Sequence, residues 1–575
     1  MMKLNMLQKK GWVFLGGLLL GSASLVGQSF DLEEIRKAKP IKFSGGLNAN
    51  GVFSAGLPNT SSLFDVYVAG NLNVSLYGVI NMPVTVNYSS RKISFSQGYN
   101  FNQFSIAPTY KWITAYAGTN YMTFSPYSLN GHQYVGGGVE LKPTAKWLIK
   151  AMAGRLIRGQ FEDTLVTGPT FRRMGYGYHV QYNPGTYRIG LSMFRAMDDA
   201  SSLPLEQRNF KGNVIHAKEN SVVGLHLGTT LFHALQIQVD YHNSVLTKDR
   251  SPNYERVRIP SLAGILLSTN ATSESFHAFK TSLTYNMAAT KTLIGVGYER
   301  VDPNYLTLGG YYFVNDLENY TVQAGQSLLE NNLTLNANVG FQRDDIRKTK
   351  ASQQTRVVGA VQANWNVNES LTMGLNFSNF QSYKFLNDTY SRLVRVPGIP
   401  IDTLNFALIS QTYGFNLTKI LRKTEERQSS LSANSSYLAS RNRVGENFDP
   451  KATSGIWNGN LNYALSFLPQ KMGGNVGLSI FRNDLPEGLI QGIGPTLAIQ
   501  KTFIENLSTN LSVGAFSTST RLAEPASSTR SSAINASVVA SYSVGKGHQF
   551  NLNTSFVKSF SNQFLNGNIG YSYSF

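Results

Sequence analysis

Apolar and polar residues alternate one by one through most of the chain after about residue 40. Leu333, Leu335, Ala337, Val339 and Phe341 share one side, with Thr334, Asn336, Asn338 and Gln342 between them. Leu371, Met373, Leu375 and Phe377 oppose Thr372, Gly374, Asn376 and Ser378. Trp457, Leu461, Tyr463, Leu465 and Phe467 oppose Asn458, Asn460, Asn462 and Ser466, and Ile534, Ala536, Val538, Ala540 and Tyr542 oppose Asn535, Ser537, Ser541 and Ser543. Successive strand residues point to opposite faces, so this period of two predicts strands with one greasy and one wet face.

The connections between these strands alternate in length. Short ones include Gly545-Lys546-Gly547, Phe503 to Asn506, Asn368-Glu369-Ser370, Phe232 to Ala234 and Asn183-Pro184-Gly185. Long ones include Leu156 to Phe171, Met197 to Lys218, Val245 to Ser275, Val301 to Tyr312, Ser382 to Thr403, Arg441 to Ala452 and Thr518 to Ser531. Short periplasmic turns and longer external loops are the habit of transmembrane barrels, and an even strand count puts both termini on one side. The reading is a single all-β transmembrane antiparallel barrel of about 26 strands, with 24 to 28 allowed and both termini periplasmic. A soluble sandwich also alternates but packs its apolar faces together. The number of strands and the two ends of the chain favour the barrel.

Those ends carry separate signals. Lys3, Lys9 and Lys10 precede a short apolar run, Trp12 to Leu20, and then Gly21-Ser22-Ala23-Ser24. This is the layout of a secretory signal, expected to occupy about residues 1–27, with a short periplasmic segment at 28–40 and the barrel from 41 to 575. At the other end Leu565, Gly567, Ile569, Tyr571, Tyr573 and Phe575 alternate with small polar residues. That pattern resembles the C-terminal assembly signal of bacterial outer-membrane barrels, in which Ile569, Tyr571, Tyr573 and Phe575 would engage the barrel-assembly machinery. The expected location is the outer membrane of a Gram-negative bacterium.

Composition narrows the partners. There is no cysteine, so no disulfide, lipoprotein anchor or thiolate metal site. No run of about 20 apolar residues follows the N-terminus, so membrane helices are excluded. The formal charge of +18 would suggest nucleic acid in the cytosol. For an exported chain the anions at hand are lipopolysaccharide phosphates or solutes in a pore, so the expected partners are membrane lipid and lipopolysaccharide, not nucleic acid.

The stretch Asn71 to Gly138 resembles a group of large barrel proteins of Bacteroidota. The likeness rests on Asn71-Leu72-Asn73, Tyr77-Gly78, Pro108-Thr109-Tyr110-Lys111-Trp112 and Phe124-Ser125-Pro126-Tyr127. It implies location and architecture, and no particular activity.

Barrel size then bears on function. Strands about 4.8 Å apart and tilted about 40° give a 26-strand barrel a diameter near 50 Å if circular. Barrels of 16 to 18 strands already enclose an aqueous channel. So wide a lumen is expected to be flattened, filled by inward loops, or closed by a plug or secreted protein partner. The candidate lumen or partner loop is Val245 to Ser275, with Arg256 and Arg258 followed by an apolar run containing Ile259, Leu262, Ile265 and Leu266. An apolar run of that length calls for cover, in the lumen, on the rim or by a partner. Ser382 to Thr403 is a second candidate.

Catalytic and cofactor motifs are weak. Asp240, His242 and Ser244 share one strand face, but Leu235, Ile237, Val239 and Tyr241 claim the lipid side, which sends His242 and Ser244 to the lumen. No enzyme activity, metal or cofactor is expected. The functional reading is a large outer-membrane channel or export and docking pore gated by loops or a partner, and the alternative is a non-conducting surface scaffold for adhesion or complex assembly.

Overall fold

The computed structural model describes residues 40–56, 64–90, 102–161, 168–210, 212–311, 313–347, 355–382, 407–444, 447–523, 526–559 and 562–575. The expected signal and the segment before residue 40 lie outside these residues, as does most of the loop Ser382 to Thr403.

Every strand of the wall pairs antiparallel with the next in sequence, from Ile41–Ala55 to Gln563–Ser574. The circuit closes where the first strand meets the last, with Leu47 opposite Tyr573 and Phe53 opposite Gly567. Gln103–Ile106 and Thr109–Tyr110 are two pieces of one wall strand between Ile80–Ser89 and Ile113–Thr123, so the barrel has 26 strands. Closure leaves no free edge, so ladder donors and acceptors pair within the wall and not with lipid. Among the described residues the only helical pieces are short 3-10 turns.

The face pattern follows the sequence. Leu375, Val476, Leu511 and Ile569 all lie on the outward side, each more than half exposed. Ile569, Tyr571 and Tyr573 face outward with them, and the Tyr573 ring stacks on Phe575 at 5.4 Å. The backbone of Phe575 exchanges two hydrogen bonds with Gly45, of 3.0 and 3.1 Å. Exposed aliphatic side chains right around a cylinder make sense only against hydrocarbon.

Two connections read as long loops are strand instead. Arg427–Val444 and Asn447–Phe467 run through the stretch Arg441 to Ala452, and Leu507–Leu522 and Ser527–Val544 run through Thr518 to Ser531. The reason is environmental. Beyond the bilayer both faces of a hairpin meet water, so apolar alternation stops while backbone pairing continues: Thr518 still pairs Ser531 and Thr520 pairs Thr529. Thr and Ser suit such a two-sided wet strand.

Candidate functional site

The wall is filled unevenly. On one side the inward residues Asn336, Asn338, Asn376 and Asn553 are exposed, so they line open space. On the opposite side the inward residues Ser192, Phe194, Asn220, His242 and Ser244 are completely buried. Two connections at the end of the barrel away from the termini fold down inside the wall against this side, residues 124–129 and, of the described residues, 302–311 and 313–316.

Each connection is tied to the wall and to its partner by hydrogen bonds. Tyr305 Oη donates to the Tyr127 carbonyl at 2.8 Å, and Thr307 Oγ1 donates to the Ser128 carbonyl at 2.7 Å. Asn130 N donates to Gly309 O at 2.9 Å. From the wall, Ser244 Oγ donates to Leu306 O at 2.7 Å, and Asn220 Oδ1 accepts from Leu308 N at 3.1 Å. Ser125 Oγ lies 2.8 Å from His242 Nε2 and 2.8 Å from Ser128 Oγ. Tyr127 Oη donates to the wall carboxylate Glu299. Burial and that carboxylate push the Tyr127 phenol well above the ordinary tyrosine range, and burial does the same to Tyr305, so both remain donors.

Apolar packing completes the filler. Phe124, Leu129 and Leu308 pack with the inward wall residues Met122, Tyr134, Met152, Leu156, Phe194 and Ala196. Tyr127 and Tyr305 pack with Leu246, Phe276, Ala278, Val301 and Leu317. A greasy patch on the lumen side of a wet barrel would be costly if left bare, and here it is the seat of the filler. Gly309 permits the closest approach, since a Cβ there would stand 2.6 Å from the Phe194 ring.

Beneath the filler is a column of histidines. The rings of His179 and His226 are 5.2 Å apart and those of His226 and His242 are 5.0 Å apart. His226 Nδ1 donates to Asp240 Oδ1 at 2.6 Å, and Ser192 Oγ lies 3.0 Å from His226 Nε2. The order Ser192, His226, Asp240 has the distances of a nucleophile, base and orienting acid. Ser192 is fully buried, however, and a Cβ at Gly224 would come within 2.5 Å of both Ser192 Oγ and the His242 ring. No carbonyl can reach Oγ in such packing, and the set serves to hold the histidines in place. The combination considered from sequence does not form: Asp240 pairs with His226, His242 with Ser125, and Ser244 with Leu306 and Asn220.

The candidate lumen or partner loop is placed elsewhere. Asn243 alternates with inward His242 and so faces out, and its Oδ1 accepts from Ala263 N at 2.9 Å. The loop thus packs on the outer surface of the wall at its rim, where it buries Val245, and does not enter the lumen. Arg256, Arg258 and Ile265 line one hollow of about 400 Å³ in it. Ile259 accepts a backbone bond from Ser261 beside that hollow, and Leu262, Ile265 and Leu266 are exposed.

No protein-family model matches the chain, and no curated protein matches it significantly. Solved structures of similar outline exist. The siderophore receptor PirA from Acinetobacter baumannii shares 8% identity, with 94% of this chain and 81% of that one covered and a TM-score of 0.40. The ferric citrate transporter FecA shares 9%, over 92% and 78%, at a TM-score of 0.40. The P pilus usher PapC translocation pore shares 12%, over 93% and 99%, at a TM-score of 0.39. Scores this low bear on neither substrate nor mechanism; the fold stands on the closed pairing of this chain.

Sequence reasoning missed residues 124–129 and 302–316 as filler. A signal was present in the wall: Met152, Leu156, Phe194, Leu246 and Phe276 are large apolar residues at positions that alternation assigns to the lumen. Apolar residues on the wet side of a barrel strand mark a place that something must cover.

Proposed function

We propose that this protein is a large outer-membrane pore whose lumen is narrowed from one side by its own connections. The belt of exposed aliphatic residues around a closed cylinder supports the membrane setting. The observation that carries the function is the contrast between exposed Asn376 and buried His242, both inward-facing: part of the bore stays wet while the rest is stoppered. Apart from the bond of Tyr127 to Glu299, the stopper is held by neutral hydrogen bonds and modest apolar contacts, which suits controlled passage, because each neutral bond contributes only about 1 kcal/mol net and can be exchanged for water.

In this reading residues 1–27 direct export and are removed, both termini stay periplasmic, and Ile569, Tyr571, Tyr573 and Phe575 guide insertion by the assembly machinery. Lipopolysaccharide surrounds the far rim. A secreted or surface protein is the fitting partner for the remaining opening. The reading is tested by single-channel recording of purified protein in planar bilayers. Replacing residues 124–129 and 305–310 with short Gly-Ser linkers should enlarge the conductance step. Absence of conductance in both proteins would favour the scaffold and overturn the pore.

A further inference from the structure

The loop on the outer rim has a chemistry of its own. A short paired neck supports it: Val257 N donates to Thr269 O and Ala271 N to Glu255 O, both at 3.1 Å. Most charges of the surrounding rim are matched. Glu219 takes Arg195 and Arg250, Asp249 takes His216, and Lys248 takes Glu274. Arg256 and Arg258 form no ion pair among the described residues, and both are exposed. Glu255 is the one carboxylate of the neck, so the two guanidinium groups leave it positively charged.

Beside those cations lie exposed apolar side chains. Ile265 is 72% exposed and Leu262 47%, and Val257, Ile265 and Leu267 meet the two arginines around the hollow of about 400 Å³. The position decides what meets them. Asn243, to which the loop is fastened, stands one outward position, about 7 Å, beyond Tyr241, where the apolar belt of Val239 and Ile237 begins. The loop therefore sits where the hydrocarbon of the outer leaflet gives way to its headgroups, on the lipid side of the wall.

We infer that this loop is a binding site for a phosphorylated glycolipid of the outer leaflet, with phosphate on Arg256 and Arg258 and acyl chain against Leu262 and Ile265. Guanidinium groups bind phosphate through paired, charge-assisted hydrogen bonds, and acyl contact adds the apolar term. A free anion would not use the exposed leucine and isoleucine. A purely apolar partner would leave two unpaired cations beside it. The inference rests on the membrane setting proposed above.

The test uses the full barrel in detergent micelles, with bound lipid read by native mass spectrometry. The probes are bisphosphorylated hexa-acyl lipid A, the same lipid with its phosphates removed, and inorganic phosphate. The phosphorylated lipid should be retained by the wild type and weakened at least about tenfold in Arg256→Gln/Arg258→Gln, two lost charge-assisted contacts being worth more than that factor. Ile265→Ser should weaken both lipids alike and leave inorganic phosphate unbound. Heat-modifiable migration on unboiled gels checks that each variant keeps its barrel. Equal retention of both lipids by the wild type, or undiminished retention by the double arginine variant, overturns the site. Conductance of the same samples keeps the outcomes apart: a conducting barrel indifferent to phosphate refutes the lipid site alone.

Discussion

Ser125 Oγ and His242 Nε2 lie 2.8 Å apart although 117 residues separate them in sequence. One belongs to a connection that has turned into the lumen, the other to the wall. Breaking this contact should loosen the stopper without harming the barrel. In Ser125→Ala the His242 ring loses the one hydrogen bond described for it, a cost of about 1 to 3 kcal/mol for a buried polar group left bare. Hydrogen exchange should rise in residues 124–129 and stay unchanged in the last strand, Gln563–Ser574.

Tyr305 is fully buried, packs in the apolar cluster of the filler and donates to the Tyr127 carbonyl. Tyr305→Phe should cost about 1 kcal/mol locally, through the lost bond alone. Tyr305→Ala should cost about 3 to 5 kcal/mol by opening a cavity, and should free residues 302–316 to limited proteolysis. Protease resistance of the alanine variant equal to that of the wild type would count against this packing.

Gly224 faces the Ser192 and His242 side chains, which flank His226. Gly224→Ala forces a methyl into a space already within 2.5 Å of Ser192 and His242. Overpacking of this kind costs about 1 to 3 kcal/mol. The expected readout is a lower unfolding midpoint in urea with an unchanged slope.

Tyr127 offers a pH test. Its phenol is held above the ordinary value by burial first and by Glu299 second. A folded-state value above the unfolded one stabilises the closed filler fully below the ordinary tyrosine value, about 10, and that contribution is lost only as pH rises beyond it. Conductance should therefore be flat from neutral pH to about 10, as far as Tyr127 governs it. Tyr127→Phe should give a larger or noisier channel already at neutral pH.

Much of the wall was legible from the chain. Leu371 to Phe377 and Leu565 to Tyr573 alternate because lipid outside and water inside impose opposite demands on neighbouring residues. Legibility failed where those demands change. The hairpin from Thr518 to Ser531 is wet on both faces, so strand there looks like loop. The filler was unreadable for a different reason: the bonds from Ser125 to His242 and from Leu306 to Ser244 join distant segments, and no local period encodes them. The arginine-flanked apolar loop stood out in sequence, yet its place on the outer rim depends on the parity of Asn243 and one bond to Ala263.

Hydrocarbon, open lumen and filler give neighbouring residues three distinct environments, and the absence of native cysteine makes them directly measurable. Single-cysteine variants at Asn376, Leu375 and Ser244 should be exposed to a charged, water-soluble thiol reagent with the barrel in lipid vesicles. Rapid reaction is expected at Asn376, protection at Leu375 by hydrocarbon, and protection at Ser244, which bonds to Leu306, that disappears when residues 305–310 are replaced by a linker. Reaction at Leu375 as fast as at Asn376, or free reaction at Ser244 in the otherwise intact chain, would overturn the stoppered barrel.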